Sequence, residues 1–326
     1  MELKTKVFFS RLKYDPVDPL VNCGNDAVRT FAMREFLGKE SQTDLSKLSD
    51  VTKLMATQRH DGSWEYPNPN LKNRSRQNFN QLETYRNLGI LVEEFGLDKT
   101  HPVISRAAEY LFSFQTKTGD FRGIYGNQVS PNYSAAIAEL LIKAGYTRNN
   151  RITRVLRWLL STRQADGGWA IPFRTAGYKV NVIYTRKETI APDLEKPFSA
   201  MVTGVVLRAF AAHAEYKKSA AVRHAGALLL SSLFKRDNYP DRAGKESWLR
   251  FNFPFWYTDL VSALDTLSRL GFAASEPQIH KGLTWLEDHQ QPNGLWDLHL
   301  LKGRNKRILQ LYLSLAICRI FKRFEN

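Results

Sequence analysis

The carboxylate best placed for chemistry is Asp259, which follows three consecutive aromatics, Phe255, Trp256 and Tyr257, and opens an apolar-periodic run. Desolvation raises a carboxyl pKa, the state a general acid requires. The same position also reads as an ordinary helix start, where an Asp is stabilised by the dipole and by free backbone N–H groups. Glu83, Glu139 and Asp265 are secondary candidates; Asp265, six residues beyond Asp259, would point elsewhere on a helix. Asp193 and Glu195 sit in Ala191-Pro-Asp-Leu-Glu-Lys and read either as an acidic pair over a site or as a solvated loop. The seven histidines do not cluster, and Cys23 and Cys318 lie near opposite ends without a Cys-x-x-Cys. No Ser/His/Asp set, Gly-x-Ser-x-Gly or phosphate-cradling glycine loop occurs. Neither a metal nor a cofactor is expected.

These residues must be held by helices, and proline and glycine mark where the helices begin and end. Pro102, Pro131, Pro197, Pro254 and Pro277 each precede an apolar-periodic run, where a missing N–H is harmless. Gly38, Gly96, Gly145 and Gly271 each follow one, as helix-ending glycines do. Two kinds of helix alternate. Segments near 45–58, 103–115, 151–163, 220–234 and 278–290 carry one apolar stripe and a charged face, as an outer layer would. Segments near 78–95, 131–144, 197–214, 254–270 and 305–322 are apolar around most of their circumference and belong inside, as does the run ending at Gly38.

Four turns between an outer and an inner segment can be superposed: Gln58…Gly62-Ser-Trp64, Gln115…Gly119-Asp-Phe121, Gln164…Gly167-Gly-Trp169 and Gln290…Gly294-Leu-Trp296. Self-similarity at a period of about 50 residues announces a repeat architecture. The pattern resembles the QW repeat of the terpenoid cyclases and protein prenyltransferase β-subunits, and covers the chain from about Leu45 to its end. The resemblance implies an all-α fold, an α/α toroid with about six inner and five outer helices. It implies a glutamine capping the outer helix and an aromatic ring stacked on the turn. The expected organisation is a single domain over 1–326, with an extended segment over 1–24 lying across the missing outer helix. Pro16 and Pro19 argue against a regular helix there. A lid-like insertion is expected over 170–196, with a short hairpin suggested near Lys179 to Thr185. The fourth turn, from Phe234 to Trp248, is longer and has lost the glutamine.

A closed ring of inner helices encloses a cavity, and Phe79, Tyr85, Tyr133, Phe198, Phe253, Phe255, Trp256, Tyr257 and Tyr312 are candidates to line it. Aromatic faces stabilise carbocations and bind isoprenoid chains. The family's catalytic signatures are missing: there is no Asp-x-Asp-Asp acid cluster, no Asp-Asp-x-x-Asp and no Asp-x-Cys zinc pair. Asp297-Leu-His299 is only an echo of the last. The expectation is a cyclase- or prenyltransferase-like protein that binds an apolar isoprenoid-type ligand, with Asp259 as the acid if cyclisation or isomerisation occurs. Two alternatives stand beside it: a non-catalytic scaffold docking a protein partner on a basic outer face, and a toroidal enzyme acting on polysaccharides with paired carboxylates.

The chain carries 47 Lys and Arg against 32 Asp and Glu, a net charge of +15. That balance favours an anionic lipid surface or a phosphorylated ligand, with Arg307 among the cations near the mouth. Arg148, Arg151, Arg154 and Arg157 form a stripe on one helix, and Lys302, Arg304, Lys306 and Arg307 crowd toward the C-terminus. No RNP-like or helix-turn-helix signature points to nucleic acid. No signal-like leader or membrane-length apolar run is evident, so a cytoplasmic protein is expected, with peripheral membrane contact through the last helix left open.

Overall fold

The computed structural model describes residues 9–68, 76–301 and 306–325. Lys302, Arg304 and the first eight residues lie outside them. Fourteen α-helical segments and no named strand occur among the described residues. Six form an inner ring: α2 (Asp26–Leu37), α4 (Phe79–Gly89), α6 (Pro131–Leu141), α10 (Ala200–Ala212), α12 (Leu260–Arg269) and α14 (Lys306–Glu325). From α4 onward each packs on the next, and α14 packs on α2. The circuit closes where Gly96, just beyond α4, lies against the Phe31 ring of α2, and where Tyr312 Oη of α14 donates to the Glu94 carbonyl at 2.9 Å. The outer layer is α3 (Ser49–Ala56), α5 (Pro102–Phe112), α7 (Asn150–Ser161), α11 (Ala220–Ser232) and α13 (Pro277–Asp288). The fold is an α/α toroid.

One set of contacts, repeated at the four turns, builds the ring. Gln58, Gln115 and Gln290 each donate from Nε2 both to the glycine carbonyl of their own turn and to a carbonyl of the neighbouring unit, whereas both Nε2 bonds of Gln164 go to the neighbouring unit. Gln58 reaches Val103 at 2.9 Å, Gln115 reaches Arg151 at 2.8 Å, Gln164 reaches Asp193 and Lys196 at 2.8 Å, and Gln290 reaches Tyr14 at 2.9 Å. Glutamine is therefore the bridge between units. The cap on the outer helix comes instead from the tryptophan, whose Nε1–H donates to the carbonyl ten residues back: Trp64 to Leu54, Trp169 to Leu159 and Trp296 to Leu286. Those carbonyls belong to the last turn, where the only backbone donor is the C-cap N–H three residues on, at 3.3 Å in each case. The backbone N–H of each aromatic donates in turn to a fully buried hydroxyl of the inner helix, Thr84, Ser134, Thr203 or Ser314. Glycine is needed because φ is positive and the next unit is close. A Cβ on Gly62 would lie 2.3 Å from the Arg106 carbonyl oxygen, and one on Gly294 2.2 Å from that of Asp15.

The last of these contacts explains the missing outer helix. Tyr14 and Asp15 occupy the place of a sixth one, with Gln290 exchanging hydrogen bonds with both the N–H and the carbonyl of Tyr14. The segment is not extended throughout. Val17–Val21 form a one-turn helix, α1, which tolerates Pro19 because first-turn N–H groups have no helical acceptor. The expected hairpin in the insertion is also replaced by two short helices, α8 (Pro172–Thr175) and α9 (Val180–Ile183). Gly177 with positive φ ends the first, and Tyr178 N–H returns to the Phe173 carbonyl, so the alternating run has no partner strand. In the long fourth turn the glutamine has gone and the indole no longer reaches the outer helix: Trp248 Nε1 donates to the carbonyl of Lys235, three residues beyond the end of α11, at 2.8 Å.

Replacing Trp169 by Phe keeps an aromatic ring but removes the 2.7 Å indole bond to the Leu159 carbonyl, which then keeps only the longer bonds from the Thr162 N–H and hydroxyl at 3.3 and 3.2 Å. Urea unfolding should show a loss of about 1 kcal/mol with unchanged helical circular dichroism.

Candidate functional site

The inner ring divides into two halves of opposite character. Toward the C-terminal ends of its helices the centre is filled with ion pairs. Glu139 of α6 accepts from Arg208 Nε of α10 at 2.9 Å and from Lys143 at 2.8 Å, and Lys143 also meets Glu93 at 2.5 Å. Asp265 of α12 accepts from Arg269 at 2.9 Å and from Arg323 of α14. Glu35 of α2 takes a bidentate pair from Arg319 at 2.7 Å. Every inner helix, counting the π turns that extend α4 (Ile90–Glu94) and α6 (Ile142–Tyr146), contributes a charge to this floor. Burial acts to raise Glu139, but Arg208 and Lys143 outweigh it and hold the carboxyl below its usual range. Asp265 is held well below it by Arg269 and Arg323 against the same burial. Both stay anionic, so neither serves as an acid.

Above the floor lies a cavity of about 1900 Å³, walled by the N-terminal parts of α2, α6, α10 and α14, by α4 along its length and by residues 240–257. Tyr85, Tyr133, Trp256, Tyr257 and Tyr312, expected at the cavity, do line it, as does Phe253. Tyr85 and Tyr133 meet edge to face at 6.1 Å, and Phe253 stacks on Tyr312 at 5.3 Å. Burial pushes the phenols of Tyr85, Tyr133 and Tyr312 up, so all three are neutral rings. Leu48 and Leu54, flanking and within outer helix α3, also face the cavity, so no inner helix screens it on that side.

Several expected residues lie elsewhere. Phe79 packs on Tyr66, Phe198 against Gly168 of the third turn, and Phe255 edge-on to Phe253, each outside the wall. Arg307 is exposed on the first turn of α14. Asp193 is part of the turn clamp: its carbonyl accepts from Gln164 and its carboxylate from the Glu195 N–H. The insertion does not itself line the cavity but braces its rim, through Gln128 bonds to Glu188 and Ile190 and the Arg174–Asp241 pair.

Asp259 is the N-cap of α12, which begins at Leu260 rather than just after Pro254. Asp259 Oδ1 accepts from Ser262 N–H at 2.8 Å while Ser262 Oγ accepts from Asp259 N–H at 2.9 Å, a reciprocal capping box. Oδ2 receives the Asn252 N–H at 3.4 Å. Burial pushes the carboxyl up to about 6 against these donors and Arg242, yet the group is fully buried and absent from the cavity wall.

Glu83 does line the cavity, 3.5 Å from Arg86. A carboxyl that sequence reasoning missed is Glu94, half-buried in the π turn and on the wall, without an ion pair. Burial, with Glu93 adding to it, pushes this carboxyl up to about 7. Its sequence signal was faint: an acid in the last turn of an apolar helix, where the dipole disfavours negative charge. The arginine stripe is also interrupted, because Arg151 turns to Glu109 in a bidentate pair at 2.7 and 2.6 Å.

The raised Glu94 pKa has a consequence for stability. The folded chain holds this proton more tightly than the unfolded chain, whose ordinary value is 4.5. The contribution to stability is therefore complete below that value and lost as pH rises through about 7. Glu94→Gln should melt with the wild type at pH about 4 and above it at pH about 8, as read by calorimetry.

Residues 136–305 match the sequence model of the squalene-hopene cyclase C-terminal domain. No curated protein sequence matches the chain. Among solved structures it is similar to the type II terpene cyclase MstE from Scytonema without ligand, at 13% identity and a TM-score of 0.46 over 86% of this chain and 84% of that one. The same values hold for a variant of that cyclase in complex with its substrate, geranylgeranyl dihydroxybenzoate. A protein from Actinoplanes gives 15% identity and a TM-score of 0.45 over 86% of this chain and 87% of that one. No helix among the described residues is long and apolar enough to cross a membrane. With the match to the sequence model spanning more than half of its length, the chain belongs to the squalene-hopene cyclase C-terminal domain family.

Proposed function

We propose that this protein binds an apolar, isoprenoid-type ligand in the cavity above the ion-paired floor. The observation that carries the reading is the wall itself: about 1900 Å³ lined by a cluster of aromatic rings, Tyr85, Tyr133, Phe253, Trp256 and Tyr312, and by aliphatic side chains, with polar and charged residues between them. A flexible hydrocarbon gains its binding energy from such a wall, and any cationic centre formed on it would lie against ring faces. Asp259 is not the acid in this reading, since its oxygens already receive backbone N–H groups. Protonating an isolated alkene asks for an unusually acidic carboxyl, and Glu94, at about 7, is the opposite. Glu94 suits proton exchange with a ligand oxygen, so an isomerisation or ring closure beginning at an oxygen function fits better than alkene protonation. The polysaccharide reading loses support because Glu93, Glu139 and Asp265 are tied into ion pairs.

The scaffold reading keeps one observation in its favour. A shallow groove of about 570 Å³ runs along outer helix α7, lined by Arg154, Arg157 and Trp158. It lies on the outer layer, and its arginines are solvated rather than aimed into an enclosed space.

Filling the cavity separates the two readings. Ala136 lines it, and Ala136→Phe adds a ring to the space without touching the clamps or the floor. After incubation with geranylgeraniol, native mass spectrometry should give a discrete one-ligand adduct on the wild type and none on Ala136→Phe, with both melting alike. An unliganded wild type, or equal uptake by both proteins, would overturn the cavity reading.

A further inference from the structure

We propose that Arg242 and Arg250 form an anion site on the cavity wall that takes the charged head group, a phosphate, diphosphate or carboxylate, of the chain lying in the cavity. The inference rests on the cavity reading and extends it from an apolar ligand to an amphiphile with an anionic end.

Both arginines line the cavity, on the 240–257 segment that also presents Asn252, Trp256 and Tyr257. Neither has a carboxylate partner, although each arginine of the floor has one. Of the two acids close to them, Asp241 also lines the cavity but is engaged in its pair with Arg174. Asp259 is buried behind the wall and receives the N–H groups of Ser262 and Asn252. Both arginines therefore face the cavity without an ion-pair partner.

The Arg242 side chain is held, not loose. Its Nη2 donates to the carbonyls of Ser247 and Arg250, and its guanidinium lies 5.3 Å from the centre of the Tyr257 ring. Its Nη1 is buried and has no partner, and the same is true of Trp256 Nε1. Unpaired buried donors are rare and call for an explanation. Arg242 is also one of two non-glycine residues with positive φ among the described residues, at 57°. Such a backbone conformation persists where the surroundings impose it and is concentrated at ligand-binding sites. Burial lowers the Arg242 guanidinium, against the pull of Asp259, and Arg250 adds to the lowering. An anion placed between the two arginines would relieve that. Asn252 Oδ1, a buried acceptor without a partner, suits a head group that also carries a hydroxyl or a protonated oxygen. Bidentate guanidinium recognition of phosphate or carboxylate oxygens supplies the chemistry.

The test compares ligands that share a chain and differ in charge, read by quenching of intrinsic tryptophan fluorescence, since Trp64 and Trp256 line the cavity. Farnesyl diphosphate should bind the wild type at least roughly tenfold tighter than farnesol, with a difference that shrinks as salt is added. Arg250→Gln and Arg242→Gln should each reduce that preference and leave the affinity for farnesol within about twofold, as expected when only the charge-assisted contact is lost. Because Arg242 also ties two carbonyls together, Arg250→Gln, whose side chain is exposed, serves as the variant that keeps the fold. Inorganic diphosphate should compete with farnesyl diphosphate but bind far more weakly. Equal binding of both farnesyl ligands to the wild type, or a preference untouched in Arg250→Gln, would overturn the anion site while leaving the cavity reading intact. Inorganic diphosphate binding as tightly as its farnesyl ester would also overturn it, because the site would then serve a free anion. If neither farnesyl ligand binds, the cavity reading fails first and the anion site with it.

Discussion

The ring depends on the hydrogen-bonded clamp at its turns. At the three tryptophan turns each clamp satisfies groups from three elements at once: an outer-helix carbonyl, the backbone N–H of the turn, and a carbonyl of the neighbouring unit. Because these groups are buried, leaving any of them unpaired is costly, so the relative position of consecutive hairpins is fixed rather than adjustable. The clamp needs only a carbonyl from its neighbour, not a helix. That is why Gln164 can hold the end of the insertion and Gln290 the N-terminal segment, and why five outer helices close a six-membered inner ring.

With the hairpins fixed, the inner helices converge, and the two halves of the ring follow different rules. Buried ion pairs contribute little net stability, because desolvation offsets attraction, but removing one partner is severe. The floor therefore acts mainly to specify geometry. Glu139 can satisfy its partners only with α6 beside α10, and Asp265 only with α12 beside α14. The interhelical charge network gathers there, and the aromatic wall occupies the other side of the ring. Glu94 lies at the boundary, next to Glu93 of the floor but facing the cavity. The carboxyl is raised for that reason: it shares the desolvation of the wall without the cations of the floor.

Much of this architecture could be read from residue types. The repeat announced the ring because glycine and tryptophan each do something no other residue does at their position. Proline and helix-ending glycines marked most helix ends for the same reason. The cavity aromatics were legible where the helix phase was clear, as for Tyr85, Tyr133 and Tyr312, and misjudged where the helix began later than its proline suggested, as for Phe198 and Phe255. Asp259 illustrates a true degeneracy, since an acid at the start of an apolar helix after aromatic residues looks the same whether it faces a cavity or caps the helix. The hydroxyls of Thr84, Ser134, Thr203 and Ser314 escaped notice because they stand at unequal distances from their aromatic partners and meet them only in space. Arg242 and Arg250 lie in an irregular loop with no periodicity to place them.

The central claim is that the ligand occupies the cavity enclosed by the inner ring, above the ion-paired floor. Amide hydrogen exchange with and without geranylgeraniol tests it most directly. Slowed exchange confined to segments near 82–87, 132–136, 252–257 and 308–312, which line the cavity, with the floor segments near 139–143 and 265–269 unchanged, is the predicted result. Slowed exchange along the outer face of α7, or none anywhere at saturating ligand, would contradict the account.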